Sequence, residues 1–368
     1  MNFFHHFFIG FIGLAVLGAF LNWFANPYGI YNPPFIKNLN SEKSAGAPRF
    51  FKPLQVSSLQ PDVVILGSSR AQVGLDPSTL PNTYNLGIPG LTASELLGYG
   101  EHVLTDTKAT RLIIGLDFFT FDDAQTVSGS YELAVLGKNT LFRAIPETLF
   151  SFNTLNLSRK TFRNSYKRKS SLHLSNGLYQ LPLPSGHLPE DLILETVNLF
   201  TSPGGGYRGQ KQFKKSLSKL GNLLEMANLK GVTVELFISP THVALVEALD
   251  VVKLWNVYEN WKRQLTHLAA TQKVILWDFS GYTKLTTVSL ANSQTVFFEG
   301  SHYLPSIGRR LLTIINKNIE NKNIGQRLTP ENIIEFLNSQ RGARIKYRLN
   351  NAEDVERIRD VVCKNICN

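Results

Sequence analysis

The chain reads as an α/β protein, a three-layer sandwich around a mostly parallel sheet, preceded by one N-terminal transmembrane helix. Three features predict this. Residues 63–66, 112–116, 232–238 and 274–277 are short apolar runs rich in Val, Ile and Leu, continuous rather than alternating. A strand covered by helices on both faces reads that way. Between the runs, residues 93–104, 212–227 and 243–269 carry helical patterns, and strands alternating with helices imply a parallel sheet. At the start, residues 7–24 are apolar except for Asn22.

That first run reaches roughly 27 Å at ~1.5 Å per residue, close to a ~30 Å hydrocarbon core. Phe3, Phe4, Trp23 and Tyr28 flank it as interfacial aromatics. No Lys or Arg precedes it and no small-residue cleavage site follows, which favours a retained anchor (1–25) over a removable signal peptide. Residues 26–60 contain Asn-Pro and Gly-Ala-Pro punctuation and read as an extended stalk. The α/β domain spans 61–325. Residues 123–205 break its rhythm with a basic run from Arg159 to Lys169 and Pro/Gly-rich loops, and read as an insertion or lid. In 243–269, Trp255, Tyr258 and Trp261 fall on one helix face and read as core. Residues 326–368 form a helical extension. Thr329-Pro330-Glu331 is a helix start, and a final amphipathic helix covers 352–367.

Composition limits the function. The chain has 368 residues, 43% hydrophobic and 18% charged, which excludes global disorder, collagen and a disulfide-stapled mini-protein. A single long apolar run excludes a polytopic membrane protein. The net charge of +10 permits anionic partners. Its basic residues are dispersed and no recognition motif accompanies them, so nucleic acid is not expected. The two cysteines, Cys363 and Cys367, make no metal cluster and read as free thiols. No metal site, phosphate loop or cofactor is indicated; Gly204-Gly205-Gly206 lacks the Lys-Ser/Thr of a P-loop.

Three strand ends carry chemistry. Gly67-Ser68-Ser69-Arg70 follows the first strand, where a serine serves either as a helix N-cap or as a nucleophile beside backbone N–H groups. Asn85-Leu86-Gly87 ends a second strand, and a glycine there lets its N–H approach a ligand. In Glu299-Gly300-Ser301-His302, a carboxylate three residues before a histidine can fix the imidazole tautomer and leave the other nitrogen as a base. His242 follows a strand end and is a candidate site neighbour or a structural loop residue.

In this order the motifs resemble the SGNH or GDSL hydrolase superfamily, whose blocks are Gly-Asp-Ser, Gly, Gly-x-Asn-Asp and Asp-x-x-His. Gly67-Ser68-Ser69, Gly87 and Glu299-x-x-His302 match the first, second and last. The resemblance is to a membrane-anchored bacterial branch related to polysaccharide O-acetylation and teichoic-acid D-alanylation proteins. It implies a flavodoxin-like sandwich with its globular part extracytoplasmic, on the periplasmic side of the cytoplasmic membrane. It implies Ser69, His302 and Glu299 as a catalytic triad, with an oxyanion hole from Ser69 and Gly87. The implied partners are the membrane, an envelope or exported polysaccharide, and proteins of an envelope complex. The implied activity is an O-acyl esterase or O-acetyltransferase; the alternative is a weak or inactive module that scaffolds a polysaccharide-modifying complex. One departure stands out. Asp117 occupies the place of the third block's Asn, and a carboxylate cannot donate to an oxyanion. Asp117 is expected either to orient Arg70 or to weaken catalysis.

Overall fold

The computed structural model describes residues 2–44, 46–131, 135–182, 185–207 and 211–366. In chain order the helices are α1 (Asn2–Ala25), α2 (Pro48–Leu59), α3 (Ser69–Gly74), α4 (Ala93–Asp106), α5 (Thr140–Arg143), α6 (Ile145–Phe150), α7 (Phe152–Tyr166), α8 (Pro189–Thr201), α9 (Lys214–Leu229), α10 (Val243–Val251), α11 (Trp255–Thr271), α12 (Pro305–Lys317), α13 (Ile333–Asn350) and α14 (Ala352–Ile366). The strands are β1 (Val63–Gly67), β2 (Thr83–Gly87), β3 (Arg111–Leu116), β4 (Thr233–Ile238), β5 (Ile275–Asp278) and β6 (Gln326–Leu328). They form one sheet in the order β2-β1-β3-β4-β5-β6, parallel except for β6.

The alternation of side chains sets the layers. Val64, Leu66, Leu112, Ile114 and Leu236 point to one face and join a core with α4, α9, α10 and α11. Ile65, Ile113, Phe237 and Trp277 point to the other and pack on α12 through Leu311 and Leu312. Each such fully buried aliphatic side chain contributes about 1.5–3 kcal/mol of transfer free energy, so the continuous runs give a sheet covered on both faces. Trp261 and Tyr258 are buried in the first layer. The order β2-β1-β3 reverses direction at β1, and in doubly wound sheets the crevice beyond the strand ends at that reversal is where ligands sit.

Four expectations change. Residues 26–60 are not an extended stalk. Tyr28, Ile30, Phe51 and Leu54 form a small core of their own with Ala144, and α2 occupies the second half. Apolar side chains spaced along a Pro/Gly-punctuated segment had a surface to cover, the inserted helices. Residues 243–269 divide into α10 and α11, where Lys253 adopts a left-handed φ of 62°. The C-terminal helix begins at Ile333 rather than at Thr329-Pro330, because residues 326–328 extend the sheet as β6 first. Cys363 is disulfide-bonded rather than a free thiol; Cys367 lies outside the described residues.

Lys52 ties the insertion to the sheet. Its fully buried Nζ donates to the carbonyls of Asn85, Gly87 and Gly177 at 2.9, 2.8 and 2.8 Å. Burial pushes its pKa well below the ordinary lysine value; three carbonyl acceptors are what a protonated amine satisfies in full. Lys52→Met leaves those carbonyls bare, at about 1–3 kcal/mol each, while relieving the cost of the buried charge. The net expectation is a loss of about 2–4 kcal/mol of stability, read as a lower denaturant midpoint of the full chain. An unchanged midpoint would mean water replaces the amine.

Candidate active site

β1 runs into α3 through Gly67, whose φ of 153° and whose neighbour Ala71 leave no room for a Cβ. Ser68 is the N-cap of α3, its Oγ accepting from Arg70 N at 3.2 Å. The Ser68 hydroxyl also donates to Asp117 Oδ2. Arg70 Nη1 donates to Asp117 Oδ1 at 2.9 Å, and both side chains are buried. Asp117 follows β3, the neighbour of β1, so this ion pair sits at the reversal of strand order. The Arg70 guanidinium lies 4.8 Å from the Phe119 ring centroid and 5.9 Å from that of Phe200. Its Nε and Nη2 are buried with no hydrogen-bond partner among the described residues. Arg70, Asp117, Ser239 and Thr241 line a cavity of about 20 Å³, room for one water-sized group.

Ser69 is the first residue of α3 and half-buried; its hydroxyl makes no hydrogen bond to another described residue. His302 lies on the loop before α12. Its neighbour Tyr303 packs so tightly on α3 that a Cβ at Gly74 would sit 2.2 Å from the ring. That contact brings the loop of His302 against the helix that Ser69 begins. His302 Nδ1 pairs with Glu299 Oε1, and His302 Nε2 is buried without a partner among the described residues. No hydrogen bond joins Ser69 to His302 among the described residues.

Glu299 is held from several sides. Oε1 accepts from the Ser301 hydroxyl at 3.0 Å and from His302 N at 3.1 Å. Oε2 accepts from Ser301 N and from the Thr196 hydroxyl, both at 2.8 Å. Burial alone would raise its pKa. The His302 pairing and these donors overrule burial and hold the carboxyl down at about 2. Thr196 comes from α8, inside the region read as an insertion, and also accepts from Gly300 N at 3.2 Å. Nothing in its sequence neighbourhood distinguishes it; only the fold brings α8 to the Glu299 loop.

Two expected site residues have other occupations. The Gly87 N–H donates to Asn85 Oδ1 at 2.8 Å, so it is not an open oxyanion donor. The glycine is required because a Cβ there would lie 2.5 Å from Gln72 N on α3. His242 has both ring nitrogens engaged: Nε2 donates to Val288 O at 2.8 Å, and Nδ1 accepts from Ala244 N at 3.2 Å. Burial lowers its pKa to about 4, so it stays neutral as the N-cap of α10. Its backbone N–H donates to Gly300 O at 3.0 Å, which anchors the Glu299 loop without taking part in proton transfer.

No protein-family model matches the chain, and no curated protein sequence does. Among solved structures, the chain is similar to a Bacteroides fragilis protein provisionally named an acylhydrolase. The identity is 12%, the alignment covers 70% of this chain and 88% of that one, and the TM-score is 0.35.

Among the described residues no group of three or more His, Cys, Asp or Glu side chains could hold a metal ion. Among the described residues one helix, over Phe3–Ala25, is long and apolar enough to cross a membrane.

Proposed function

We propose that the protein performs serine-dependent acyl-ester chemistry through an acyl-Ser69 intermediate, with His302 as base and Glu299 as its orienting carboxylate. The observation that carries this is the Glu299–His302 pair. One imidazole nitrogen is held by a deprotonated carboxylate and the other is unpartnered, on a loop packed against the helix that begins with an unengaged serine. In the forward half-reaction Ser69 Oγ bonds to the acyl carbon as its proton passes to His302 Nε2. The tetrahedral intermediate then expels the alkoxide, which takes that proton from the imidazolium. In the second half, water or a sugar hydroxyl gives its proton to His302 and attacks the acyl carbon. Ser69 leaves and recovers the proton. Water makes the protein an esterase, a sugar hydroxyl an O-acyltransferase. Arg70, fixed by Asp117, supplies the oxyanion donor that a neutral Asn amide supplies in the superfamily the chain resembles, and adds a positive charge.

The substrate class follows from the family resemblance: an acyl group on a cell-envelope or exported polysaccharide. α1 acts as a retained, single-pass anchor with the domain extracytoplasmic. Support for retention comes from Asn22, whose amide donates to Leu149 O at 2.8 Å and accepts from Ser158 Oγ at 2.8 Å. Removing α1 would strip these partners.

A second reading, a binding module without turnover, is favoured by the occupied Gly87 N–H. A fluorophosphonate probe on the full chain separates the two. Labelling that Ser69→Ala and His302→Ala both abolish, and Ser68→Ala does not, is the expected result. A folded wild type that stays unlabelled, or labelling that survives Ser69→Ala, would reject the catalytic reading.

A further inference from the structure

The exit of α1 from the membrane is surrounded by exposed apolar side chains. α1 has 24 residues, roughly 36 Å at 1.5 Å each, longer than a ~30 Å hydrocarbon core, and Asn22 and Trp23 put its last turn at the headgroup boundary. The Asn22 hydrogen bond to Leu149 O places the junction of α6 and α7 at the level of that last turn. On either side of the junction, Phe150 and Phe152 are 57% and 85% exposed. On another side of the same turn, Asn40 Nδ2 donates to Phe24 O at 2.9 Å. The segment it closes presents Phe35, 73% exposed, together with Ile36 and Leu39. Large exposed apolar side chains thus sit on two segments that are hydrogen-bonded to the last turn of an apolar helix.

α7 adds charge. Its buried positions Thr154, Ser158, Thr161 and Ser165 face inward, Ser158 and Thr154 meeting Asn22 and Tyr28. Phe162 packs on Phe24. The helix thus lies across the end of α1 and its exit. Arg159 and Arg163 are exposed, and Lys167, Arg168 and Lys169 continue the stripe beyond the helix end. Between residues 140 and 170, Glu147 is the one acidic residue in the sequence.

We infer that α6, α7 and the segment around Phe35 form a bilayer-docking surface for anionic lipid headgroups. Phe150, Phe152 and Phe35 enter the interface, and Arg159 and Arg163 pair with lipid phosphates. Apolar side chains beside a basic helix are how proteins seat on a lipid surface. Docking fixes the domain's tilt on its anchor. The inference rests on the reading of α1 as a retained anchor.

Nitroxide labels on Leu14→Cys, Phe152→Cys and Leu229→Cys test it, in the full chain in phosphatidylglycerol nanodiscs. Depth is read from relative accessibility to oxygen and to a water-soluble nickel chelate. Leu229 is exposed at the end of α9 and serves as the aqueous reference. Labels at 14 and 152 are expected to favour oxygen, and the label at 229 nickel. The label at 152 is expected to shift several-fold toward nickel in phosphatidylcholine, or when Arg159→Glu and Arg163→Glu are added. If 14 lies in lipid while 152 matches 229, the docking surface is overturned and the anchor stands. If 14 is in water, anchor and docking fall together. Equal depth at 152 in both lipids would overturn the anionic preference and make the basic stripe a solvated face.

Discussion

Glu299→Gln is expected to lower the rate of Ser69 labelling by about 10⁴, the scale of the corresponding carboxylate-to-amide change in a Ser-His-Asp triad. Both carboxyl oxygens accept hydrogen bonds: Oε1 from His302 and Ser301, Oε2 from Ser301 N and Thr196. Glutamine keeps one acceptor and gains a donor. If its oxygen faces His302, its amide group faces the Ser301 N–H. If its amide group faces His302, Nδ1 becomes the acceptor and the proton moves to Nε2, where the base is needed. The first arrangement sets two donors against each other at Ser301, and the second puts the imidazole in the wrong tautomer.

The pH dependence has a definite sign. The Glu299 pKa is lowered from an ordinary 4.5 to about 2. Its pairing therefore contributes stability that is fully present above 4.5 and is lost as pH falls through about 2. Loss of labelling on acidification that sets in above pH 5 belongs to another group. The measurement is the second-order labelling rate of wild type, Glu299→Gln and Glu299→Asp, each checked for an unchanged melting transition. A glutamine variant that labels at the wild-type rate would remove Glu299 from the proposed mechanism.

How much of this was legible in the sequence depends on the range of the interaction. The strands ending at Gly67, Leu116 and Ile238 could be read from local runs, because strands buried on both faces leave few positions for polar residues. The Glu299–His302 pair could be read too, because both partners lie on one short loop. What local sequence does not carry are long-range occupations. That the Gly87 N–H belongs to Asn85 depends on how α3 closes over β2. That His242 is fully engaged depends on Val288, a residue on a separate loop. Thr196 and Lys52 were invisible because each acts across a fold that brings α8 to the histidine loop and α2 to the end of β2. The segment after α1 differs from its sequence reading for the same reason. Tyr28 bonds Thr154, more than a hundred residues away, and without that partner its surroundings look like a spacer.

Arg70→Ala is expected to lower kcat for hydrolysis of a p-nitrophenyl ester by about 10²–10³, the cost of removing one oxyanion donor, with KM little changed. The pair of Arg70 with Asp117 separates this role from a merely structural one. Asp117→Ala leaves a buried guanidinium, and Arg70→Ala a buried carboxylate, without its counter-charge, at about 3–5 kcal/mol, so each is read only on protein whose melting transition shows it folded. The Arg70→Met, Asp117→Asn double variant is different. It replaces a buried ion pair with neutral groups, an exchange that is often close to neutral in stability. It also puts an amide at position 117, and an amide can donate where a carboxylate cannot. The double variant is therefore expected to recover at least ~10-fold of the activity that Arg70→Ala loses, a part of one donor's worth, with a melting transition near wild type. If Arg70→Ala turns over at the wild-type rate, the oxyanion is held elsewhere. If the double variant folds but is no faster than Arg70→Ala, the side chain at 117 does not reach the oxyanion, and Arg70 and Asp117 are a buried brace between the ends of β1 and β3.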